Sequence, residues 1–88
     1  MKPIFLSQHA QDQMWKRGAM QVEVELAIRE GEQRDAKKGR VAFRKNFTFQ
    51  STWKGTYYEA KQVMPIVAEE ADRWVVVTVY VFYFGERS

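Results

Sequence analysis

The stretch from Arg73 to Phe84 constrains the fold more than any other part of this sequence. After Arg73 it contains no charged residue, and β-branched and aromatic residues fill nearly every position. Such residues favour a pleated strand, and apolar side chains on both faces indicate that both faces are covered. The run is too short to cross a bilayer as a helix, which needs about 20 residues. We therefore predict that this stretch is the central strand of a sheet.

Two short amphipathic helices are predicted ahead of the sheet. The first covers residues 8–17, because Ser7 can cap its N-terminus and Gly18 can end it. The second covers residues 21–30 and ends at Gly31. Both helices carry apolar residues at helical spacing, which indicates that they pack against a common core. The predicted core-facing positions are Ala10, Met14, Met20, Val24, Ala27 and Ile28.

Two further strands are indicated by side chains that alternate between apolar and polar. The first begins at Arg40, and Lys45 interrupts its apolar face, which predicts a bulge or twist there. Trp53-Lys54-Gly55 predicts the hairpin turn, and the return strand covers residues 56–68. Pro65 cannot donate to a strand ladder, so we expect an edge position or a bulge at that residue.

The polar residues 32–39 are predicted to be a loop, with a weak edge strand at its start as an alternative. Residues 2–6 are a short apolar lead that is a candidate for one more edge strand. The expected fold is α+β in a single domain spanning residues 1–88, with two N-terminal helices packed on one face of a three- or four-stranded antiparallel sheet. The last strand would then lack a cover on its other face, which predicts a homo-oligomer, another partner or a ligand there.

The absence of cysteine excludes disulfides and thiolate metal sites and favours a reducing, cytoplasmic location. A single histidine argues against a zinc site, and no glycine-rich phosphate loop is present, so we expect no metal and no cofactor. We also expect no membrane association. The formal net charge of +3 permits nucleic acid as a partner without requiring it.

Basic residues of the predicted sheet are the candidates for nucleic-acid binding. Arg40 and Arg44 share one face of a strand, about 13–14 Å apart. Lys61 belongs to the next strand, and Lys45, Lys37 and Lys38 lie around these residues. We predict that Arg44, Lys45 and Lys61 contact phosphates, with a solvated sheet edge as the alternative interpretation.

The first helix offers candidates for catalysis. His9 is a candidate general acid or base, because imidazole side chains in general can serve as either, although it is also suited to cap or pack at the first helical turn. Together with His9, Lys16 and Arg17 could form the other side of a basic groove. Tyr80 and Tyr83 are candidates for a phenol in the site, with burial in the core or an interface as the alternative.

Four short motifs resemble a family of small bacterial domains of unknown function. The motifs are His9-Ala10, Trp15-Lys16-Arg17-Gly18, Gly39-Arg40 and the valine-rich strand around Val77-Thr78. Members of this family open with His-Ala-x-x-Arg, carry a later Arg-Gly and end in a Val-Val-Thr strand. This sequence departs from the pattern at Gln13, where the family usually has arginine, and that departure bears on whether the site is active.

The family is similar in layout to the RelE- and BrnT-type toxins, small α+β proteins that cut RNA with scattered basic and aromatic residues on a sheet. The resemblance implies a RelE-like fold, a metal-independent endoribonuclease or RNA-binding function, and an antitoxin-like protein partner. It assigns catalytic roles to His9, Arg17 and Arg40. The competing hypotheses are a non-enzymatic interaction module or homodimer, and a binder of small molecules on the aromatic face.

Overall fold

The computed structural model describes the backbone of residues 2–87 and the side chains of residues 2–85. Its two helices confirm the predicted boundaries, and the charged segment before the first long strand contains a strand and a turn. The elements are β1 Ile4–Leu6, α1 Gln8–Arg17, α2 Gln21–Glu30, β2 Glu32–Asp35, a 3₁₀ turn Lys37–Gly39, β3 Val41–Trp53, β4 Thr56–Glu69 and β5 Trp74–Arg87.

The sheet has five strands in the order β1-β5-β4-β3-β2. β1 runs parallel to β5, whereas the other three pairs are antiparallel. The prediction of an α+β fold with N-terminal helices is confirmed, but the prediction of a purely antiparallel sheet of three or four strands is wrong. Both weak edge strands form, and β1 is parallel because helical residues, rather than a hairpin, follow it.

β5 is not the central strand, and that prediction is wrong. β4 holds the centre, and β1 pairs with β5 only over Trp74–Val76 because β1 is three residues long. From Val77 onward, no strand of the described residues pairs with the edge of β5 that points away from β4. Side chains cover part of this edge instead: Ser7 Oγ donates to the Val77 carbonyl at 3.3 Å, and Arg17 Nη1 donates to the Val79 carbonyl at 2.8 Å.

A bulge in β5 explains why simple alternation does not assign its faces correctly. Val67 of β4 opposes Val76 and the next residue along, Ile66, opposes Thr78, so that Val77 is an extra residue. Val76 and Val79 are therefore both fully buried. Strict alternation would place these two valines on opposite faces.

Local chemistry fixes the ends of α1. Ser7 Oγ accepts a hydrogen bond from the Ala10 backbone N–H at 3.0 Å, as expected of an N-cap. Gly18 ends the helix with φ of 80°, in the left-handed region that favours glycine. A Cβ atom at Gly18 would contact Tyr83 Oη and lie 2.9 Å from the Trp53 ring, so this position also requires glycine for space.

The core lies between the two helices and one face of the sheet. It contains residues from both helices and all three long strands, and α2 packs on β3 and β4 while α1 packs on β5. We call this side of the sheet the inner face and the side away from the helices the outer face. The buried core residues are Ala10, Met14, Val24, Ala27, Ile28, Phe43, Val63, Val67, Val76 and Val79.

Two local predictions about the strands need correction. Pro65 lies fully buried in the central strand β4, not at an edge, opposite Val79 of β5. Its missing N–H is tolerated because the β3–β4 ladder is interrupted between the pairs Ala42–Ile66 and Lys45–Val63. The bulge predicted at Lys45 occurs farther along β3, near Gln50, which has φ of 46°.

Among the described residues, neither helix is long and apolar enough to cross a membrane.

Candidate nucleic-acid interface

A basic pocket opens on the outer face, where the turn between β2 and β3 meets the middle of β5. It has a volume of about 260 Å³. This volume is slightly below the roughly 300 Å³ at which pockets for drug-sized ligands begin, so it suits a phosphate-sized group better. The lining residues are Ala36, Lys37, Lys38, Arg40, Ile66, Thr78 and Tyr80.

A tight turn positions the cations of the pocket. The Ala36 N–H donates to the Arg40 carbonyl at 2.9 Å, which closes the loop between β2 and β3. Inside the loop, Lys38 and Gly39 have φ angles of 63° and 72°. A left-handed conformation is costly for lysine, by roughly 1–2 kcal/mol. The loop therefore holds the Lys38 backbone in a strained conformation at the rim of the pocket.

Sheet register brings the floor of the pocket under these cations. Ala42 opposes Ile66 across the β3–β4 ladder, and Ile66 opposes Thr78 across the β4–β5 ladder. Arg40 precedes Ala42 by two residues, so its side chain points to the same face. Tyr80 follows Thr78 by two residues and completes the floor with a half-exposed ring. Residues about 40 positions apart in sequence thus share one site.

The charge of the pocket is not neutralised by its neighbours. Lys37, Lys38 and Arg40 form no ion pair with any residue that the structure describes. Two other arginines on the outer face, Arg34 and Arg44, both bind Glu32, with nitrogen–oxygen distances of 2.6 and 3.0 Å. The hydrogen bond from Arg44, followed by that from Arg34, lowers the pKa of Glu32. Arg44 therefore shares the outer face with Arg40, as predicted, but is already paired.

Arg17 reaches the same region from α1. Its guanidinium carbon lies 4.9 Å from the centroid of the Tyr80 ring, while Nη1 holds the Val79 carbonyl. Tyr80 is therefore in contact with Arg17 and lines the same pocket as Arg40. Of the three predicted catalytic residues, Arg17 therefore contacts this phenol ring and Arg40 lines the same pocket as the ring.

His9 is exposed on α1 and does not line the basic pocket. It shares one helical stripe with Gln13 and Arg17, at spacings of four and eight residues. A rise of 1.5 Å per residue separates His9 from Arg17 by about 12 Å along the helix. The predicted acid–base role of His9 therefore has no support from contacts with the pocket.

Lys61 lies on the inner face, is 4% exposed and does not reach the basic pocket. Its Nζ atom binds Glu23 Oε1 at 2.8 Å and the Gly18 carbonyl at 2.8 Å. Glu23 Oε1 also accepts from the Met20 backbone N–H at 2.9 Å. Lys61 therefore stabilises the turn between α1 and α2, and its Nζ atom lies on the opposite face of the sheet from the basic pocket.

Lys45 also points to the inner face, where Nζ lies 3.5 Å from Glu30 Oε1 and 5.9 Å from the centroid of the Phe47 ring. Of the three predicted phosphate contacts, only Arg44 shares a face with Arg40.

The outer face also carries a row of aromatic rings that sequence patterning assigned incompletely. Tyr80, Phe82 and Phe84 are 40%, 49% and 44% exposed, and we call these three residues the aromatic stripe. The Tyr80 and Phe82 rings are nearly parallel, with an interplanar angle of 18° and centroids 6.4 Å apart. Their two-residue spacing is visible in the sequence, but their exposure depends on the helices covering only the inner face.

Comparison of the chain with known protein families, with curated proteins and with solved structures gives no significant match.

Proposed function

We propose that this protein binds RNA on the outer face of its sheet. The observation that carries the proposal is the basic pocket, which Lys37, Lys38 and Arg40 line together with Tyr80 and in which these three cations form no ion pair with any described residue. Unpaired cations in a concave site attract phosphate groups, because binding releases the counterions that the phosphates hold. The layout of helices before a sheet, which resembles RelE- and BrnT-type toxins, favours RNA over other polyanions.

Cleavage of the bound RNA is the enzymatic form of this proposal. Arg40 lines the pocket and Arg17 contacts the Tyr80 ring beside it, so Arg40 could stabilise negative charge on a phosphate in the pocket and Arg17 on a group next to Tyr80. Tyr80 supplies the phenol of the pocket, and this hydroxyl could exchange a proton with an attacking 2′-hydroxyl. Binding and cleavage are separable, because the first needs the cations alone and the second also needs the phenol.

The test is fluorescence anisotropy with a labelled single-stranded RNA of about eight nucleotides, within the range that single-strand binders cover. Arg40→Ala should weaken binding about tenfold, the value expected for one charge-assisted contact. The double variant Lys37→Ala/Lys38→Ala should lower the salt dependence by about 0.7 for each phosphate contact that it removes. Tyr80→Phe in the same assay, with the RNA followed on a gel, separates cleavage from binding.

Arg29→Ala is the matched control, because Arg29 is an exposed arginine of α2 that pairs only with Glu25 among the described residues. Its affinity for RNA should equal that of the unaltered protein. An equal loss of RNA affinity in Arg29→Ala and Arg40→Ala would mean that overall charge, not the pocket, accounts for binding. Absence of RNA binding by the unaltered protein would overturn the proposal.

A second candidate function, a homodimer formed through β5, is favoured by the free edge of that strand. The Val79 carbonyl points to the edge of β5 away from β4. Because backbone groups alternate with a period of two, the N–H and carbonyl groups of Val81 point to the same edge. β5 itself has no charged residue from Trp74 to Phe84, and within the described residues no strand lies beside it after Val76, although Arg17 covers its Val79 carbonyl. Such an edge is a template for another strand.

Sedimentation velocity across a wide concentration range tests the dimer. A dimer should sediment faster as concentration rises, and the Val81 amide should become more protected from hydrogen exchange over the same range. A monomer at all concentrations would rule out this second function.

A further inference from the structure

The aromatic stripe continues from the basic pocket along β5, on the same face of the sheet. Tyr80 belongs to both, and Phe82 and Phe84 extend the row by two residues at a time. Residues two apart on a strand lie about 6.6–6.8 Å from each other. The row is too exposed to contribute much to the core, so its apolar surface is open to solvent.

On the neighbouring strand β4, Tyr80 opposes Met64, Phe82 opposes Gln62 and Phe84 opposes Ala60, so only the residue opposite Phe84 has a short side chain. Gln62 Nε2 donates to Asn46 Oδ1 at 3.0 Å. This places a pair of amide side chains in the same cross-strand row as Phe82, where polar base edges could find donors and acceptors.

The spacing of the rings matches the thickness of a base. Tyr80 and Phe82 are nearly parallel with centroids 6.4 Å apart. Two stacking steps of about 3.4 Å, the rise between stacked bases in a nucleic-acid strand, require roughly 6.8 Å. The centroid separation is therefore close to what one planar base needs between two face-to-face rings, whereas a base that is already paired and stacked in a duplex cannot enter.

We propose that the aromatic stripe stacks unpaired bases of an RNA whose adjacent phosphate occupies the basic pocket. This inference rests on the proposed RNA-binding function and adds to it the substrate class, which is single-stranded RNA. Base stacking on aromatic side chains tolerates any sequence, because every base has a π-face. The bases of duplex RNA are paired and stacked, and only its backbone and grooves are accessible. Duplex RNA should therefore contact the basic pocket but not the aromatic stripe.

The experiment compares a single-stranded RNA that contains 2-aminopurine with the duplex of the same sequence. The single strand should bind more tightly, and 2-aminopurine fluorescence should be quenched on binding because its base stacks on a ring. Phe82→Leu keeps an apolar side chain and removes the π-face. It should weaken single-strand binding at least about fivefold, abolish the quenching and leave the salt dependence unchanged.

Phe5→Leu is the matched control, because Phe5 is also 49% exposed but lies on β1 beside Val75, outside the stripe. It should change neither affinity nor quenching. Arg40→Ala should show the opposite pattern to Phe82→Leu, with a weaker salt dependence and full quenching at saturation.

Three results would overturn the inference in distinguishable ways. Equal binding of single strand and duplex without quenching would refute stacking and leave RNA binding intact. Absence of binding to either RNA would refute the proposed function and the inference together. A change from dimer to monomer in Phe82→Leu, with unaltered RNA affinity, would assign the stripe to contact between two copies of the chain.

Discussion

Lys61 stabilises the turn between the two helices through an ion pair that is almost completely buried. The side chains of Lys61 and Glu23 are 5% and 13% exposed, and the lysine also satisfies the Gly18 carbonyl. Removing one partner of a buried pair leaves the other charge without compensation, which costs more than the pair itself contributes. We therefore expect this residue to contribute to the stability of the fold rather than to ligand contact.

Lys61→Met should lower the free energy of unfolding by about 3 kcal/mol while leaving RNA affinity unchanged in the folded protein. Urea unfolding measures the first quantity and anisotropy the second. The double variant Glu23→Gln/Lys61→Met should recover part of the loss, because no buried charge remains uncompensated. Unaltered stability combined with weakened RNA binding would place Lys61 in the interface instead.

Tyr83 of β5 is a partly buried tyrosine whose hydroxyl contacts this turn, and its ionisation makes the free energy of unfolding depend on pH in the alkaline range. Its hydroxyl donates to the Arg17 carbonyl at 2.7 Å, and its ring stacks on Trp53. Burial, followed by the charge of Glu23, raises the pKa of Tyr83 to about 12. The unfolded chain has a tyrosine pKa of about 10. The folded state therefore holds this proton more tightly than the unfolded state does.

The stabilising contribution of Tyr83 should be complete below about pH 10 and should decrease as pH rises toward about 12. In an ultraviolet titration of phenolate, one of the four tyrosines should ionise after the others. Tyr83→Phe should remove this late step and make stability less dependent on pH in that range. Ionisation of all four tyrosines together near the ordinary pKa would contradict the prediction.

At the scale of elements, the two hairpin turns of the sheet provide a matched pair of strained lysines. Lys38 in the β2–β3 turn and Lys54 in the β3–β4 turn have φ angles of 63° and 50°. Asparagine tolerates this conformation better than lysine does. Lys38 lines the basic pocket, whereas Lys54 does not.

Lys38→Asn and Lys54→Asn should each raise the free energy of unfolding by about 0.5–1 kcal/mol, because both relieve left-handed strain. Only Lys38→Asn should weaken RNA binding. Thermal unfolding and anisotropy on the two variants measure these effects. Equal affinities in the two variants would mean that the Lys38 charge does not contact the ligand.

The elements also differ in how far the sequence predicts them. Ser7 and Gly18 mark the ends of α1 through local chemistry, so its boundaries were predictable. The extra residue Val77 reverses the face assignment of β5, and alternation alone cannot reveal it. The parallel pairing of β1 depends on three residues that are about 70 positions from their partners, and no local pattern encodes such a contact.

At the scale of the whole molecule, the candidate site depends on sheet order. β4 lies between β3 and β5 in the sheet. Arg40 and Tyr80 nevertheless line the same pocket, because the loop before β3 borders the outer face. Residue type predicts Arg17, Arg40 and Arg44 as members of the candidate site. It predicts Lys61 and Lys45 equally, because alternation does not reveal that these lysines form ion pairs with Glu23 and Glu30 on the inner face.

Mapping amide chemical shifts of ¹⁵N-labelled protein during titration with single-stranded RNA tests the central claim most directly. We expect the shifts to cluster in the loop 36–40 and in residues 78–84 of β5, and to saturate at one RNA strand per site. The exposed surface of α2 should remain unperturbed. Shifts confined to the helices, or no shifts with any RNA, would contradict the assignment of the outer face as the binding surface.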